Sequence, residues 1–138
     1  MGQQDKRSQV CGMYFMPLSE AEVKNYPGKE IISVRGRWLD LKVSSGEYKE
    51  KQEEPGGVVE QELKAVVADT GADYVRLLRN ISSQEGLVLI RTTNGGEYVV
   101  GTEQFPVTFS WEYSGSPLKQ IISFKRNSSE GAKKMQSF

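Results

Sequence analysis

The feature of this sequence that most constrains its fold is a tight reversal between two short apolar runs in the second half of the chain. Residues 87–92 and 97–101 are rich in β-branched and aromatic side chains, and residues 93–96 (TNGG) supply the positive φ angles of a hairpin turn. Apolar and polar side chains then alternate over residues 107–113, as in a strand with one buried face. The sequence therefore predicts a three-strand meander that anchors the fold.

The rest of the chain is also mainly extended. The pattern predicts strands at residues 9–16, 31–43, 58–67 and 120–125, with reversals typical of antiparallel sheets. One amphipathic helix is predicted after a cap at Thr70, because four apolar residues share one helical face. These residues are Tyr74, Leu77, Leu78 and Ile81. The predicted fold class is mainly β, an antiparallel β-barrel or sandwich with one flanking α-helix.

The length and the polar segments suggest how the chain is divided. A chain of 138 residues suits one domain. We expect a disordered N-terminus at residues 1–8 and a single β-rich domain at residues 9–126. Residues 44–57 are polar and bounded by Gly and Pro, which predicts a long mobile loop or an extended hairpin arm. Residues 127–138 are expected to form a flexible basic C-terminal tail.

The residue types argue against an enzyme. The chain has no histidine, so it lacks the commonest general base and the commonest metal ligand. Its single cysteine, Cys11, excludes both an intramolecular disulfide and a multi-cysteine metal site. Asp69 and Asp73 lie at the predicted helix start, where carboxylates commonly cap. We therefore predict no catalytic, cofactor-binding or metal-binding residue, no cofactor and no small-molecule substrate.

Composition also excludes some partner classes. Eighteen basic and 18 acidic residues give a net charge of zero, without the basic excess of a nucleic-acid coat protein. No apolar run approaches the roughly 20 residues of a membrane-spanning helix. The apolar residues 10–16 could pass for part of a secretory leader, but Pro17 and the charged Glu20 and Glu22 follow them, and a first strand is the better interpretation. We expect neither a membrane nor a specific nucleic-acid partner.

Two segments carry opposite charge within this neutral chain. Residues 47–62 hold six glutamates and two lysines, which gives this segment a formal net charge of about −4. Residues 119–138 hold five basic residues and one glutamate, which gives a formal net charge of about +4. A head-to-tail contact between subunits would use such a pair, although two solvated flexible segments would look the same. The residues predicted for this assembly interface are Glu47, Tyr48, Glu50, Glu53, Glu54, Glu60, Lys119, Lys125, Arg126, Lys133 and Lys134.

Several short strings give the chain a family resemblance. They are residues 38–41 (WLDL), 47–50 (EYKE), 60–63 (EQEL), 94–96 (NGG), 99–102 (VVGT) and 120–124 (QIISF). In this order they resemble small β-rich prophage-encoded structural proteins, similar to phage tail-tube and minor tail proteins. The resemblance implies a barrel or sandwich whose subunits form rings by extending the sheet across neighbours.

What the resemblance implies for function is a non-enzymatic phage or prophage structural protein, a tail tube or a minor tail or connector component. Self-assembly would use the sheet edges, the arm at residues 44–57 and the C-terminal segment. The partners would be further copies of the chain and other virion proteins, in the virion or the host cytoplasm. The alternative is a monomeric β-barrel that binds a small apolar or carbohydrate ligand through Trp38, Trp111 and Tyr98.

Overall fold

The computed structural model describes residues 4–26, 29, 31–52, 57–67, 71–93, 95–101, 106–108, 110–114, 119–128 and 131–135. The strands are β1 (Gln4–Pro17), β2 (Glu22–Asn25), β3 (Ile31–Arg35), β4 (Leu39–Asp40), β5 (Ser45–Gln52), β6 (Val59–Val67), β7 (Gly86–Thr92), β8 (Glu97–Val100), β9 (Ser110–Ser114), β10 (Lys119–Ser128) and β11 (Lys133–Met135). A helix α1 (Ala72–Ser82) and a short 3-10 helix (Leu18–Glu20) complete the described elements. The prediction of a mainly β fold with one flanking helix is confirmed.

All of these strands belong to one mixed sheet. Their order is β2-β3-β11-β8-β7-β1-β5-β6-β10-β9, and β4 pairs with β1 beside that path. β11 runs parallel to β3, whereas the other ladders are antiparallel. Among the described residues no pairing joins β2 to β9, so the predicted barrel or sandwich is instead a single open sheet.

Strand β1 joins the two halves of this sheet. Residues 4–10 pair with β5, residues 10–17 pair with β7, and the register shifts between Val10 and Gly12. A bulge of this kind adds a residue to one strand and so changes which side chains face the core. Val10 and Met13, three positions apart, consequently contact the same apolar core.

The sheet is strongly curled. Five strands separate β10 from β11 in the sheet order, which in a flat sheet would place them roughly 29 Å apart at about 4.8 Å per strand. The chain from Ser128 to Lys133 can span at most about 18 Å. Arg126 on β10 also approaches the chain just after β8, since a Cβ on Gly101 would lie 3.4 Å from its Nη1. The two halves of the sheet therefore curve towards each other.

Each face of the sheet carries its own core. The first core packs against α1 and contains Phe15, Leu63 and Ile122. The second core, on the opposite face, contains Met16 and Leu87. β7 contributes to both cores because its successive side chains point to opposite faces.

The helix presents the predicted face to the first core. Tyr74, Leu78 and Ile81 are buried, and the Tyr74 hydroxyl donates a hydrogen bond to the Leu41 carbonyl. Gly71 is the N-cap and provides no side-chain hydrogen bond, while the predicted cap Thr70 lies outside the described residues. The described part of this helix is therefore stabilised by burial of its apolar face and not by a hydrogen bond from the side chain of its N-cap.

The predicted meander is wrong in its third strand. β7 and β8 form the expected hairpin, but β9 pairs with β10 at the far end of the sheet. Val107 forms an isolated bridge to Gly86. The alternating pattern correctly marked an extended segment, but a period of two contains no information about which strand is the neighbour.

The polar segments also differ from their predictions. Of the two alternatives for residues 44–57, the described part is an extended hairpin, with β5 paired to β1 on one side and β6 on the other. It is therefore an interior strand and not a free arm. Residues 4–8, expected to be disordered, belong to β1, and residues 133–135, expected in a flexible tail, form β11. Pairing with distant strands supplies the order that local sequence does not.

Candidate assembly surfaces

A buried polar cluster lies at one end of the first core. Tyr48 on β5 is 5% exposed, and its hydroxyl donates to Glu50 Oε1 at 2.8 Å. Gln61 on β6 is also buried and donates from Nε2 to the Tyr48 hydroxyl at 2.9 Å. Arg126 on β10 stands opposite Gln61 in the ladder. Three predicted interface residues, Tyr48, Glu50 and Arg126, are thus brought together, but they face the interior of the subunit.

Burial and charge determine the protonation of this cluster. Burial raises the pKa of the Tyr48 hydroxyl well above its ordinary value, and the adjacent Glu50 carboxylate raises it further. Burial lowers the pKa of the Arg126 guanidinium, an effect that the neighbouring Tyr48 opposes. Tyr48 is therefore held as a neutral hydrogen-bond donor, an arrangement suited to fixing strands in place and unsuited to supplying a tyrosinate base.

The same carboxylate holds the chain on its way to β11. Glu50 Oε1 accepts a hydrogen bond from the Ala132 amide at 2.7 Å. The carboxylate lies so close to Gly131 that a Cβ on this glycine would overlap it. We call residues 131–135 the β11 segment. Its entry point is fixed by a charge-assisted hydrogen bond, which is about twice as strong as a neutral one.

Lys133 anchors the middle of the β11 segment. This lysine is 3% exposed, and its Nζ donates to Asn25 Oδ1 at 2.7 Å and to the Tyr26 carbonyl at 3.1 Å. Both acceptors lie at the end of β2. The lysine predicted for an intermolecular contact therefore makes an internal one, because a buried ammonium group requires polar partners.

The outward face of β5 and β6 is electrically balanced. The ladder places each charged residue directly opposite one of the other sign. The pairs are Glu47 with Lys64, Lys49 with Glu62, and Lys51 with Glu60. Cross-strand pairs of opposite charge stabilise a sheet by roughly 0.2–1 kcal/mol each. The acidic segment of the sequence thus becomes, in its described part, a face with three acidic and three basic residues.

The remaining predicted interface residues are dispersed. Glu53 and Glu54 lie outside the described residues, and the backbones of Lys119 and Lys125 belong to β10. Lys134 is exposed on β11, opposite Tyr98 on β8. Lys125 stands opposite Glu62 in the β6–β10 ladder, beside the outward face of β5 and β6, whereas Lys134 lies in the other half of the sheet.

The two end strands of the sheet differ in character. β2 carries charged, exposed side chains at Glu22 and Lys24, and Arg35 lies 3.8 Å from the Glu22 carboxylate. β9 has one charged residue, Glu112, beside the half-buried Trp111. Natural proteins commonly protect sheet edges with lysine and other charged residues. β9 is therefore the less protected edge of the sheet.

The aromatic residues predicted for a ligand groove do not converge. Trp38 packs against the second core, whereas Trp111 and Tyr98 pack against the first. Tyr98 alone lines a shallow, open depression together with residues 95–97 and the exposed Lys134. Trp38 thus supports a different core from Trp111 and Tyr98.

Sequence reasoning missed two participants in the polar cluster. Gln61 shares the strand parity of the buried Val59 and Leu63, and a polar residue at a core position is a recognisable signal of a buried hydrogen bond. Ala132 takes part only through its backbone, for which no sequence signal exists. Within the described part of the chain the Gln61 Oε1 accepts no hydrogen bond.

We also looked for a membrane-spanning helix, for a metal site and for similarity to known proteins. In the described ranges no helix is long and apolar enough to cross a membrane, and no three His, Cys, Asp or Glu side chains are grouped to hold a metal ion. Comparison with protein-family models, curated proteins and solved structures finds no match. The geometry of the sheet is therefore the basis for a functional proposal.

Proposed function

We propose that this chain is a non-enzymatic structural protein, of the kind encoded by phages and prophages, that self-assembles through the edge of its sheet. The observation that carries this proposal is the position of β9 at the end of an open sheet. Among the described residues β9 pairs with β10 alone. An edge strand offers a row of backbone donors and acceptors that a strand of another subunit can extend.

The proposed route differs from the one expected from sequence. β5 is paired on both sides, so its backbone cannot receive another strand. The outward charges of β5 and β6 are balanced within the subunit, so this face exerts little electrostatic attraction on a basic segment of another subunit. Assembly through β9 relies instead on backbone hydrogen bonds and on apolar burial.

The proposed partners are further copies of this chain and other virion proteins, in a virion or in the host cytoplasm. The family resemblance of the short strings described above supports this setting. The buried polar cluster supports a structural role, since Glu50 and Tyr48 are engaged in bonds that fix strands. The proposed function requires neither a cofactor nor a small-molecule substrate.

Molar mass in solution, measured by size-exclusion chromatography with light scattering, tests the proposal. We expect the mass to rise with protein concentration and to persist at high salt, because backbone pairing is screened little by ions. A monomer at every concentration and salt would overturn the proposal.

A matched pair of variants tests the edge. Ser110→Lys places a charge on β9 and should lower the mass at each concentration. Ser45→Lys makes the same change at an exposed serine of the interior strand β5 and should leave the mass unchanged. Equal effects of the two variants would contradict assembly through β9.

A further inference from the structure

The β11 segment is the link between two parts of the sheet. In the described residues β3 pairs with β2 and β11, and β8 pairs with β7 and β11. No other described ladder connects the β2–β3 hairpin to the rest of the sheet. Between β3 and β8 the fold thus provides a slot for one strand, parallel to one neighbour and antiparallel to the other.

The slot recognises its occupant at successive positions. Glu50 accepts the amide of Ala132, and Asn25 and the Tyr26 carbonyl bind the ammonium group of Lys133. Met135 packs against the second core. The slot therefore fits a short strand with a glycine at its entry, a cationic side chain two positions later and an apolar side chain two positions after that.

The ladders that hold β11 are among the shortest in the described sheet. β11 has two register pairs with β8 and two with β3, whereas β6 and β10 share nine. Local opening requires less free energy where fewer backbone bonds and apolar contacts are lost. The β11 segment can therefore leave the slot while the β1, β5, β6, β7 and β10 ladders stay intact.

The connection that leads from β10 into β11 is short. Residues 129–132 link β10 to β11, although five strands lie between them in the sheet order. Short connections favour exchange of an element between identical subunits, because the exchanged form makes the same contacts as the unexchanged one.

From these observations we propose that the β3–β8 slot of one subunit receives the β11 segment of a second copy of this chain. The donated strand makes the contacts that it makes within its own subunit, to Glu50, Asn25 and Tyr26. A reciprocal exchange closes a dimer, and a head-to-tail exchange continues as a ring or filament. This inference rests on the proposed self-assembly and names the segment that joins the copies.

Disulfide trapping in the full chain tests the exchange. Lys134 and Tyr98 are direct antiparallel partners on β11 and β8, a geometry within reach of a disulfide. Lys134→Cys and Tyr98→Cys are made in separate chains, each with the exposed Cys11 replaced by serine. The two chains are co-expressed and oxidised, and the products are identified by intact mass. A chain carrying both cysteines verifies that the pair can bond within a subunit.

The expected result is a covalent heterodimer of the Lys134→Cys and Tyr98→Cys chains. Its yield should exceed that of a control mixture in which Arg76→Cys, on the exposed face of α1, replaces Tyr98→Cys. Assembled particles without an excess of this heterodimer would overturn the exchange and leave assembly through β9 standing. Monomers without the heterodimer, although the double variant bonds internally, would overturn both proposals.

Discussion

The buried hydroxyl of Tyr48 gives the sharpest test of the structure. Tyr48→Phe removes one oxygen and keeps the ring that packs in the first core. The variant loses the bond to Glu50 Oε1 at 2.8 Å and the acceptor for Gln61 Nε2 at 2.9 Å. Gln61 then keeps a buried amide without this partner. The bond to Gln61 is buried and the bond to Glu50 is partly buried, so the buried bond in particular is difficult to replace with water.

The magnitude follows from these two bonds. A hydrogen bond to a charged acceptor contributes about 1.5–3 kcal/mol, and a buried donor left unsatisfied costs about 1–3 kcal/mol. The two energies are not fully additive, and phenylalanine costs less to bury than tyrosine. We therefore expect the free energy of unfolding to fall by about 2–4 kcal/mol. Tyr26→Phe is the matched control, since that tyrosine is 37% exposed, and should change stability by less than about 0.5 kcal/mol.

The pH dependence provides an independent signature. The folded pKa of Tyr48 lies above the ordinary value of about 10. Below pH 10 the hydroxyl is protonated in both states and contributes no slope. Above pH 10 the unfolded chain releases this proton and the folded chain retains it, so stability falls as pH rises. The slope from this one group is about −1.4 kcal/mol per pH unit.

Urea unfolding between pH 8 and pH 11 measures both effects. The wild-type protein and Tyr26→Phe should lose stability above pH 10 more steeply than Tyr48→Phe, by the slope of one tyrosine. Equal alkaline slopes in Tyr48→Phe and wild type would refute the buried, neutral state of Tyr48. A loss below about 0.5 kcal/mol at pH 7 would refute the hydrogen-bonded cluster.

Two further substitutions test the packing of the sheet and the helix. Gly86→Ala should lower the free energy of unfolding by about 1–3 kcal/mol in urea, because the added Cβ would overlap the Met16 carbonyl and the Phe15 ring. An unchanged free energy of unfolding would contradict this close approach. Leu78→Ala should cost about 2–5 kcal/mol by the same assay, and clearly more than Leu77→Ala at the half-buried neighbouring position.

Local chemistry explains the parts of the fold that the sequence predicted. The β7–β8 hairpin follows from its turn residues, and α1 follows from the spacing of its apolar side chains. β6 was recognisable because its buried and exposed residues alternate throughout. In each case the determining interactions lie within a few residues of one another along the chain.

The predictions failed where the partner is distant in sequence. β5 looks like a polar loop because its outward residues are charged, and its order depends on β1 and β6, which bracket it in the sheet. β11 is too short to show a period, and its buried Lys133 resembles a solvated tail residue until Asn25 is placed beside it. The charge balance of β5 and β6 was hidden for the same reason, since pairing across strands places basic residues opposite the glutamates of a segment that is acidic in sequence.

The double pairing of β1 also bears on how fast the chain folds. Its neighbours β5 and β7 come from segments roughly 45 and 75 residues away, so both must be found by long-range search. Chains dominated by such contacts fold on the order of milliseconds to seconds. During that interval the apolar side chains of Met13, Phe15 and Met16 are exposed on a strand with two open edges. The nascent chain is therefore most prone to aggregation at β1, before either half of the sheet has closed on it.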